Sequence, residues 1–509
     1  MTAPVIAWCR VMYRQRYWWL SAVVFAAMLA QNLNQYWAGD FWEHAAVVRE
    51  LVRHPWAPGH PLFGIGAPHP YFSPYALGVA LIARLTRLPA VTALAVLGMA
   101  NLIGLLVAFY LFVSALLSSR AAFFGLLFTL LLWGFSPWRY SGFLHLSALG
   151  FVLPYPSIFA MWLMLFTLYA LLRYREHGSV GWAAVIVVGA PIVLLTHPIT
   201  GIMLAAGLIA FSARLAVRQP RRFVGLGAAV LLASAAGVSL WPYYPFFRLI
   251  ATGSETYAVP NLAMYDGAFQ RAWPALIGAP FVVRRLAADK LDGLGLFVLT
   301  LSILYALGGL ISNGPLGRVL PALVLGLHLA LADAVANFED RLRAIPARAQ
   351  LRYLYGAIAL VAAIGLANAA PALLRVVPRP LLPGRLRADP RLERELDTYT
   401  LLASQVGGDD VVMADLNVGR HVPAFAGKVV AFIDPEAFVP DQESRRQAVF
   451  RFFDEASADE REAIITRYGV KFVAVDARSP LPASTDRWLA SHAAAIPGDG
   501  RLRLFRMSP

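Results

Sequence analysis

The chain has 509 residues, 59% of them hydrophobic and only 15% charged, with a mean hydropathy of +0.59. A soluble domain carries nearer ~25% charged residues, so a soluble globular protein is excluded and a polytopic α-helical membrane protein is indicated. The formal charge of +14 is not a nucleic-acid footprint, because the arginines gather in short loops between apolar runs (Arg173 and Arg175; Arg214, Arg218, Arg221 and Arg222), as the positive-inside rule requires.

The first membrane helix is predicted over about 17–37, behind the basic residues Arg10, Arg14 and Arg16. Met28 and the polar run from Gln31 argue against signal cleavage near Ala30, so the segment reads as an uncleaved anchor with a cytoplasmic N-terminus. The lone Cys9 in that basic start leaves no partner for an intrachain disulfide or a cysteine metal site. Asp40 follows directly and opens the amphipathic stretch Asp40-Phe-Trp-Glu43-His44. An acid just outside the first span of so apolar a chain places acid–base chemistry at a membrane surface.

Residues 38–90 form a long outer loop in which His60 and His69 lie among prolines. Its end, 75–88, is apolar but carries Arg84 and Arg87; the charge pattern assigns it to the interface rather than to a span. Further spans are predicted over 91–117, 121–138, 152–172, 180–196, 199–216, 223–247, 272–284, 293–312, 316–335 and 353–373. That makes about eleven in all, within roughly 10 to 13, since a span takes ~20 apolar residues. Two more outer loops are expected at 139–151 and 248–271. On this count the C-terminus falls on the outer, periplasmic side of a bacterial inner membrane.

The patterning changes after Pro378, dividing the chain into a membrane module over 1–377 and a soluble domain over 378–509. Val411–Ala414, Val429–Ile433, Val470–Val475 and Arg501–Arg506 read as strands, and Gln442–Glu455 and Ala458–Arg467 as helices, the second with Ser457 and Glu460 at capping-box spacing. Alternating short strands and helices give a small α/β domain.

Candidate site residues come from the outer loops. If 40–54 is helical, Glu43 and His44 share the face of Asp40; Asp40 itself has the plainer reading of an N-cap. Arg139, Tyr140 and His145 lie in the second loop. His197 stands at a proline-marked helix junction and needs a polar partner there. In the third loop Tyr265 and Arg271 are candidate acceptor and phosphate contacts, with Glu255, Tyr257 and Asp266 beside them.

Taken together, the basic first helix, the Gly39-Asp40 pair behind it, the segment Tyr71-Phe-Ser-Pro-Tyr75, about a dozen spans and the tail Tyr468-Gly-Val-Lys-Phe-Val473 resemble the GT-C glycosyltransferase superfamily. The resemblance implies a sugar donor on a polyprenyl phosphate, a lipid, glycan or protein acceptor, and Asp40 as the base that assists the acceptor. Many members carry a second acid after the third helix, sometimes with a metal. The corresponding residues, Arg139 to Gly150, contain neither Asp nor Glu, so a divalent metal is doubtful and no metal ligands are assigned; His145 is the residue a substituted site would use. A lipid or sugar transporter and a non-catalytic assembly protein on the same scaffold are the competing readings. Against a transporter, the predicted spans hold few ionisable groups beyond His328 and Asp333.

Overall fold

Helix length sorts the eleven expected spans. In the computed structural model, which describes residues 15–37, 39–256, 261–344, 348–387, 395–454, 456–498 and 501–508, seven helices are long and apolar enough to cross a membrane. They are Ala90–Leu116, Pro156–His177, Pro198–Arg218, Pro220–Leu240, Gly293–Leu310, Gly314–Ala344 and Ala349–Val376. Each corresponds to an expected span. Arg16–Leu33, Ser119–Leu131 and Val180–Thr196 are helical where helices were expected but fall short in length or apolarity.

The stretch 272–284, expected as a short apolar span, is built in two pieces. It is no single helix but a 3-10 turn over Trp273–Gly278 followed by an α-helix over Ala279–Ala288. Pro274 and Pro280 each lie in the first turn of one of the two pieces, where a missing N–H costs nothing. The helix Pro74–Thr86 is only 13 residues long, too short to span, in line with its interfacial assignment.

By contact the chain forms two compact units, each discontinuous in sequence. One comprises Met1–Asn34, Gly98–Leu240 and Tyr257–Leu382; the other Gln35–Leu97, Trp241–Thr256 and Pro383–Pro509.

The first unit is helical. Close approach of its helices depends on small residues, as helix association in hydrocarbon requires. At Gly189 a Cβ would meet Thr167 Oγ1 at 2.6 Å, and at Gly207 it would meet Leu168 Cδ2 at 2.8 Å. At Gly278 it would run into the backbone carbonyl of Leu327. Arg16 forks onto the buried Glu339, Nη2 to Oε2 at 2.8 Å and Nη1 to Oε1 at 3.1 Å, tying the first helix to Leu320–Ala344.

The second unit is built on a five-stranded mixed sheet of β1 (Val411–Ala414), β2 (Lys428–Val429), β3 (Val470–Asp476), β4 (Ala493–Ile496) and β5 (Leu502–Met507), ordered β2-β1-β3-β5-β4. β1 pairs in parallel with β2 and β3, while β5 runs antiparallel to β3 and β4. Side chains alternate across it with the strand period of two. Val412, Ala414, Phe472, Ala474 and Leu504 face one core, which also buries Leu402 and Val406 of the helix-bearing segment 395–406 and Ala46, Leu62 and Phe63 of the outer loop. Met413, Val473, Val475 and Phe505 face the other, under Val449, Phe452, Ile464 and Leu489. Segments predicted as outer loops of the membrane module therefore pack with the C-terminal residues.

The expected strands and helices of this region are present, with Ser457 Oγ accepting from Glu460 N at 3.3 Å as the capping spacing predicts. The strand expected over Val429–Ile433 stops after Val429. Beyond it the carbonyls of Phe432 and Ile433 accept from the guanidinium of Arg446 at 3.1 and 3.0 Å, so a side chain takes the place of a neighbouring strand. Helices Glu395–Gln405 and Ala483–His492 and strand β4 were not predicted.

The packing at Gly278 gives a direct test. Its Cβ would meet main chain that cannot rotate away, whereas nothing lies within 4 Å of a Cβ at Gly225. Gly278→Ala is expected to destabilise by about 1–3 kcal/mol and Gly225→Ala to be neutral, read as thermal midpoints of the purified protein.

Candidate active site

The helix Phe41–Arg53 begins at Asp40, behind Gly39, whose φ of +65° allows the turn. Asp40 does not act as a capping side chain: its backbone is α-like, at φ −67° and ψ −2°, and its carboxylate makes no cap hydrogen bond. An N-cap ordinarily has extended backbone and accepts from the N2 or N3 amide. The side chain is half-buried, and its charge acts on Glu43 one turn later.

Glu43 and His44 are both buried, at 5% and 7% exposure. His44 stacks on Tyr71 with ring centroids 4.6 Å apart. Tyr71 belongs to the segment that turns into helix Pro74–Thr86, where Ser73 Oγ caps Ala76 N at 3.3 Å. Glu43 meets residues that the sequence cannot place beside it. His69 Nε2 lies 3.3 Å from Glu43 Oε1 and 3.1 Å from Glu436 Oε2, and His60 Nε2 lies 3.9 Å from the same Glu436 oxygen. His69 Nε2 has no carboxylate oxygen in hydrogen-bond alignment, so it is an ion-pair centre shared between two acids. All four residues are buried.

The titration of this cluster follows from its burial. Desolvation and the nearby Glu436 push Glu43 up to about 8, against the opposing pull of His69. Burial alone would lower His69, but Glu436 and Glu43 outweigh it and raise it to about 9. The amide of Tyr71, which donates to His69 Nδ1 at 3.2 Å, opposes a second ring proton; the direction set by the two carboxylates is nonetheless upward. His60 is driven well below its ordinary value by burial and by the positive charges of His69, Lys428 and Arg445.

The ligand atoms of His60, His69 and Glu436 lie within 4.8 Å of one another, a spacing that suits a metal ion. The donor chemistry does not fit. His60 Nδ1 accepts the amides of Leu62 and Phe63 at 3.2 and 3.3 Å, and His69 Nδ1 accepts that of Tyr71. A neutral ring whose Nδ1 lone pair is used in this way carries its proton on Nε2. The two nitrogens facing Glu436 therefore present hydrogens, not lone pairs. The cluster is arranged to hold protons.

The remaining candidates lie in the other unit. His145 is buried with both ring nitrogens engaged, Nε2 on Trp138 O and Nδ1 on Ser147 Oγ, each at 2.7 Å, and burial lowers it to about 4. It pins the loop, and no ring nitrogen is left for the substituted metal site considered above. Arg139 and Tyr140 are exposed, Arg139 lying 5.6 Å from the Phe151 ring centroid. His197 caps the helix that follows it, Nδ1 accepting from Thr200 N at 3.3 Å and lying 2.8 Å from Thr200 Oγ1; this supplies the expected polar partner. Tyr265 donates to Asn313 O at 2.9 Å. Arg271 lies 4.8 Å from the Trp138 ring centroid, with no carboxylate partner among the described residues. Tyr257 and the side chain of Glu255 lie outside the described residues.

One residue in this unit was not singled out from sequence. Arg318 is buried and donates to Asn261 Oδ1 at 3.0 Å and Ser141 O at 2.9 Å, with its guanidinium 5.6 Å from the Tyr140 ring centroid. It joins two of the expected outer loops. In sequence it resembles any arginine between two apolar runs.

No protein-family model and no curated protein matches the chain. Solved structures do. The apo structure of ArnT from Cupriavidus metallidurans is 13% identical with a TM-score of 0.55, all of both chains being covered. The archaeal oligosaccharyltransferase AglB from Archaeoglobus fulgidus, solved with an inhibitory peptide and a dolichol-phosphate, is 13% identical with a TM-score of 0.51, over 97% of this chain and 74% of that one. The arabinofuranosyltransferase AftD from Mycobacteria is 16% identical with a TM-score of 0.52, over 97% of this chain and 40% of that longer one. The fold is one that the chain shares with ArnT, AglB and AftD. At these identities the likeness is one of architecture, and it spans the membrane helices and the C-terminal domain alike.

The charge state of the cluster fixes a pH dependence. For both Glu43 and His69 the folded pKa lies above the unfolded one, so the native state holds more protons and stability is lost as pH rises toward 8 and 9. His60 is depressed, so its contribution is lost as pH falls below its ordinary value near 6.5. The thermal midpoint of the purified protein is expected to fall on the alkaline side between pH 6.5 and 9. Glu43→Gln should flatten that limb; an unchanged slope would contradict the assignment.

Proposed function

We propose that the chain is a membrane glycosyltransferase that moves a sugar from a polyprenyl-phosphate donor to a lipid, glycan or protein acceptor, with Asp40 as general base. The observation that carries this reading is the position of Asp40: it opens the first helix after the first span of a GT-C fold, and its carboxylate is not used to cap that helix. ArnT, AglB and AftD, which share the fold, lend the reaction class.

The chemistry is simple to balance. The acceptor heteroatom attacks the anomeric carbon and its proton passes to the Asp40 carboxylate. The bond from that carbon to the phosphate oxygen breaks, and the prenyl phosphate leaves with the electron pair. The sugar passes through an oxocarbenium-like state, and a positioned base contributes typically ~10²–10⁴-fold. Glu43, pushed up to about 8, stands protonated at neutral pH one turn away and so does not add a second negative charge beside the base.

Arg271 is the assigned phosphate contact. Stacked on Trp138 and without a carboxylate partner among the described residues, it has the fork geometry that binds phosphate oxygens in pairs. Arg139, Tyr140 and His44 are the further substrate-facing assignments, and Arg318 positions the loop that carries Tyr140. We place the protein in a bacterial inner membrane with its N-terminus in the cytoplasm and the C-terminal domain in the periplasm, on the distribution of arginines in its loops.

Asp40→Asn preserves size and removes the base. In proteoliposomes supplied with polyprenyl-phosphate-linked sugars, transfer is expected to fall by ~10²–10⁴-fold with the thermal midpoint retained. Wild-type rates in the folded variant would end the role assigned to Asp40.

A further inference from the structure

The helical unit contains a basic cavity that the proposed reaction does not use. It encloses about 400 Å³ and is lined by Arg175, Arg214, Arg218 and Arg285 together with Glu176 and Asp292. It lies where helices Ala90–Leu116, Pro156–His177 and Pro198–Arg218 end and Gly293–Leu310 begins. This is the end of the helices that the loop arginines assign to the cytoplasmic side, whereas Asp40 is assigned to the other side.

The acids around the cavity are already committed. Arg285 forks onto Asp292, at 2.8 Å to Oδ2 and 3.0 Å to Oδ1, and reaches Asp333 at 2.5 Å. Arg214 pairs with Asp289. Glu176 turns to Arg173 at 2.6 Å and to His177 at 3.6 Å. That leaves Arg175 and Arg218 on the cavity wall without a carboxylate partner among the described residues. Arg175 is half-buried and donates only to the carbonyl of Phe211, at 2.9 Å, and Arg214 and Arg218 add their repulsion to it.

Arginines that merely mark topology extend into water, where repulsion between them is screened. Here Arg175 is half-buried, and it shares a concave wall with the exposed Arg218, which also lacks a carboxylate partner among the described residues, and with two others whose charge is already met. Such a site is completed by a polyvalent oxyanion, which accepts from several guanidinium groups at once. Basic pockets between helix ends at the cytoplasmic face are suited to phosphate-bearing head groups.

We propose that this cavity binds a phosphate-bearing anion through Arg175 and Arg218, as a site distinct from that of sugar transfer. The same chemistry is offered by an anionic lipid head group and by free phosphate, and the test separates them. Full-length protein is placed in nanodiscs of phosphatidylcholine, of phosphatidylcholine with phosphatidylglycerol, or of phosphatidylcholine with added inorganic phosphate, and its thermal midpoint is followed. A ligand that binds only the folded state raises the midpoint.

The wild type is expected to rise by about 2 °C or more in at least one of the two anion arms. The Arg175→Gln/Arg218→Gln variant should lose that rise, and Arg352→Gln, which removes one charge from an exposed residue of helix Arg348–Leu373, should keep it. A rise with phosphatidylglycerol alone assigns the site to a lipid head group; a rise with phosphate alone assigns it to a soluble anion; a rise in both means the site accepts either. No rise in either arm, or an undiminished rise in the double variant, overturns the proposal. If the double variant does not fold, Arg218→Gln alone, at an exposed side chain, should at least halve the rise, and an undiminished rise there counts equally against it.

Discussion

Buried carboxylates must be neutralised, and much of the C-terminal unit is arranged around that requirement. Glu43, Glu50 and Glu436 are each at most 5% exposed. Unpaired, each would cost several kcal/mol of desolvation. Lys428 Nζ meets Glu50 at 2.6 Å and also donates to His60 O at 2.7 Å, while His69 stands between Glu43 and Glu436. Each compensating group comes from a different stretch of chain than the acid it serves, or is shared between two. The helix that carries Asp40 is thereby locked to β2 and to the loop before Gln442 by charge as well as by the apolar contacts of Ala46, Leu62 and Phe63.

This locking gives the helix a fixed orientation, with Asp40 half-buried at its first turn. Asp40 and Glu43 are one turn apart on one helix, and the buried surroundings of Glu43 raise its carboxyl while Asp40 adds to that effect.

What could be read from sequence was whatever local pattern determines. The helix that carries Asp40, Glu43 and His44 on one face was legible because i, i+3 and i+4 spacing is a local rule, as were β1 and β3, short apolar runs between turns, and β5, which alternates apolar and basic residues. The His69–Glu436 contact was not, because nothing near His69 distinguishes a buried ion pair from a solvated loop histidine. Residues 272–284 read as one apolar run, and the structure divides them into two helical pieces, each with a proline in its first turn. Residues 430–433 failed because the carbonyls of Val430, Phe432 and Ile433 accept from the side chains of Arg445 and Arg446 rather than from a strand. Arg318 was hidden by its resemblance to a topology signal.

The pairing of Glu50 with Lys428 crosses 378 residues of chain. At ribosomal rates of ~5–20 residues per second, that distance takes about 20 to 75 s to synthesise. Throughout the interval helix Phe41–Arg53 is complete but Glu50 lacks Lys428. The nascent chain therefore has to keep that helix hydrated, or hold it against a chaperone or the translocation machinery, until the last quarter of the polypeptide emerges. Assembly of the Asp40 region is thus one of the final events in the biogenesis of the protein, and a chain released before residue 428 would carry every membrane helix yet lack the partners that fix its proposed base in place.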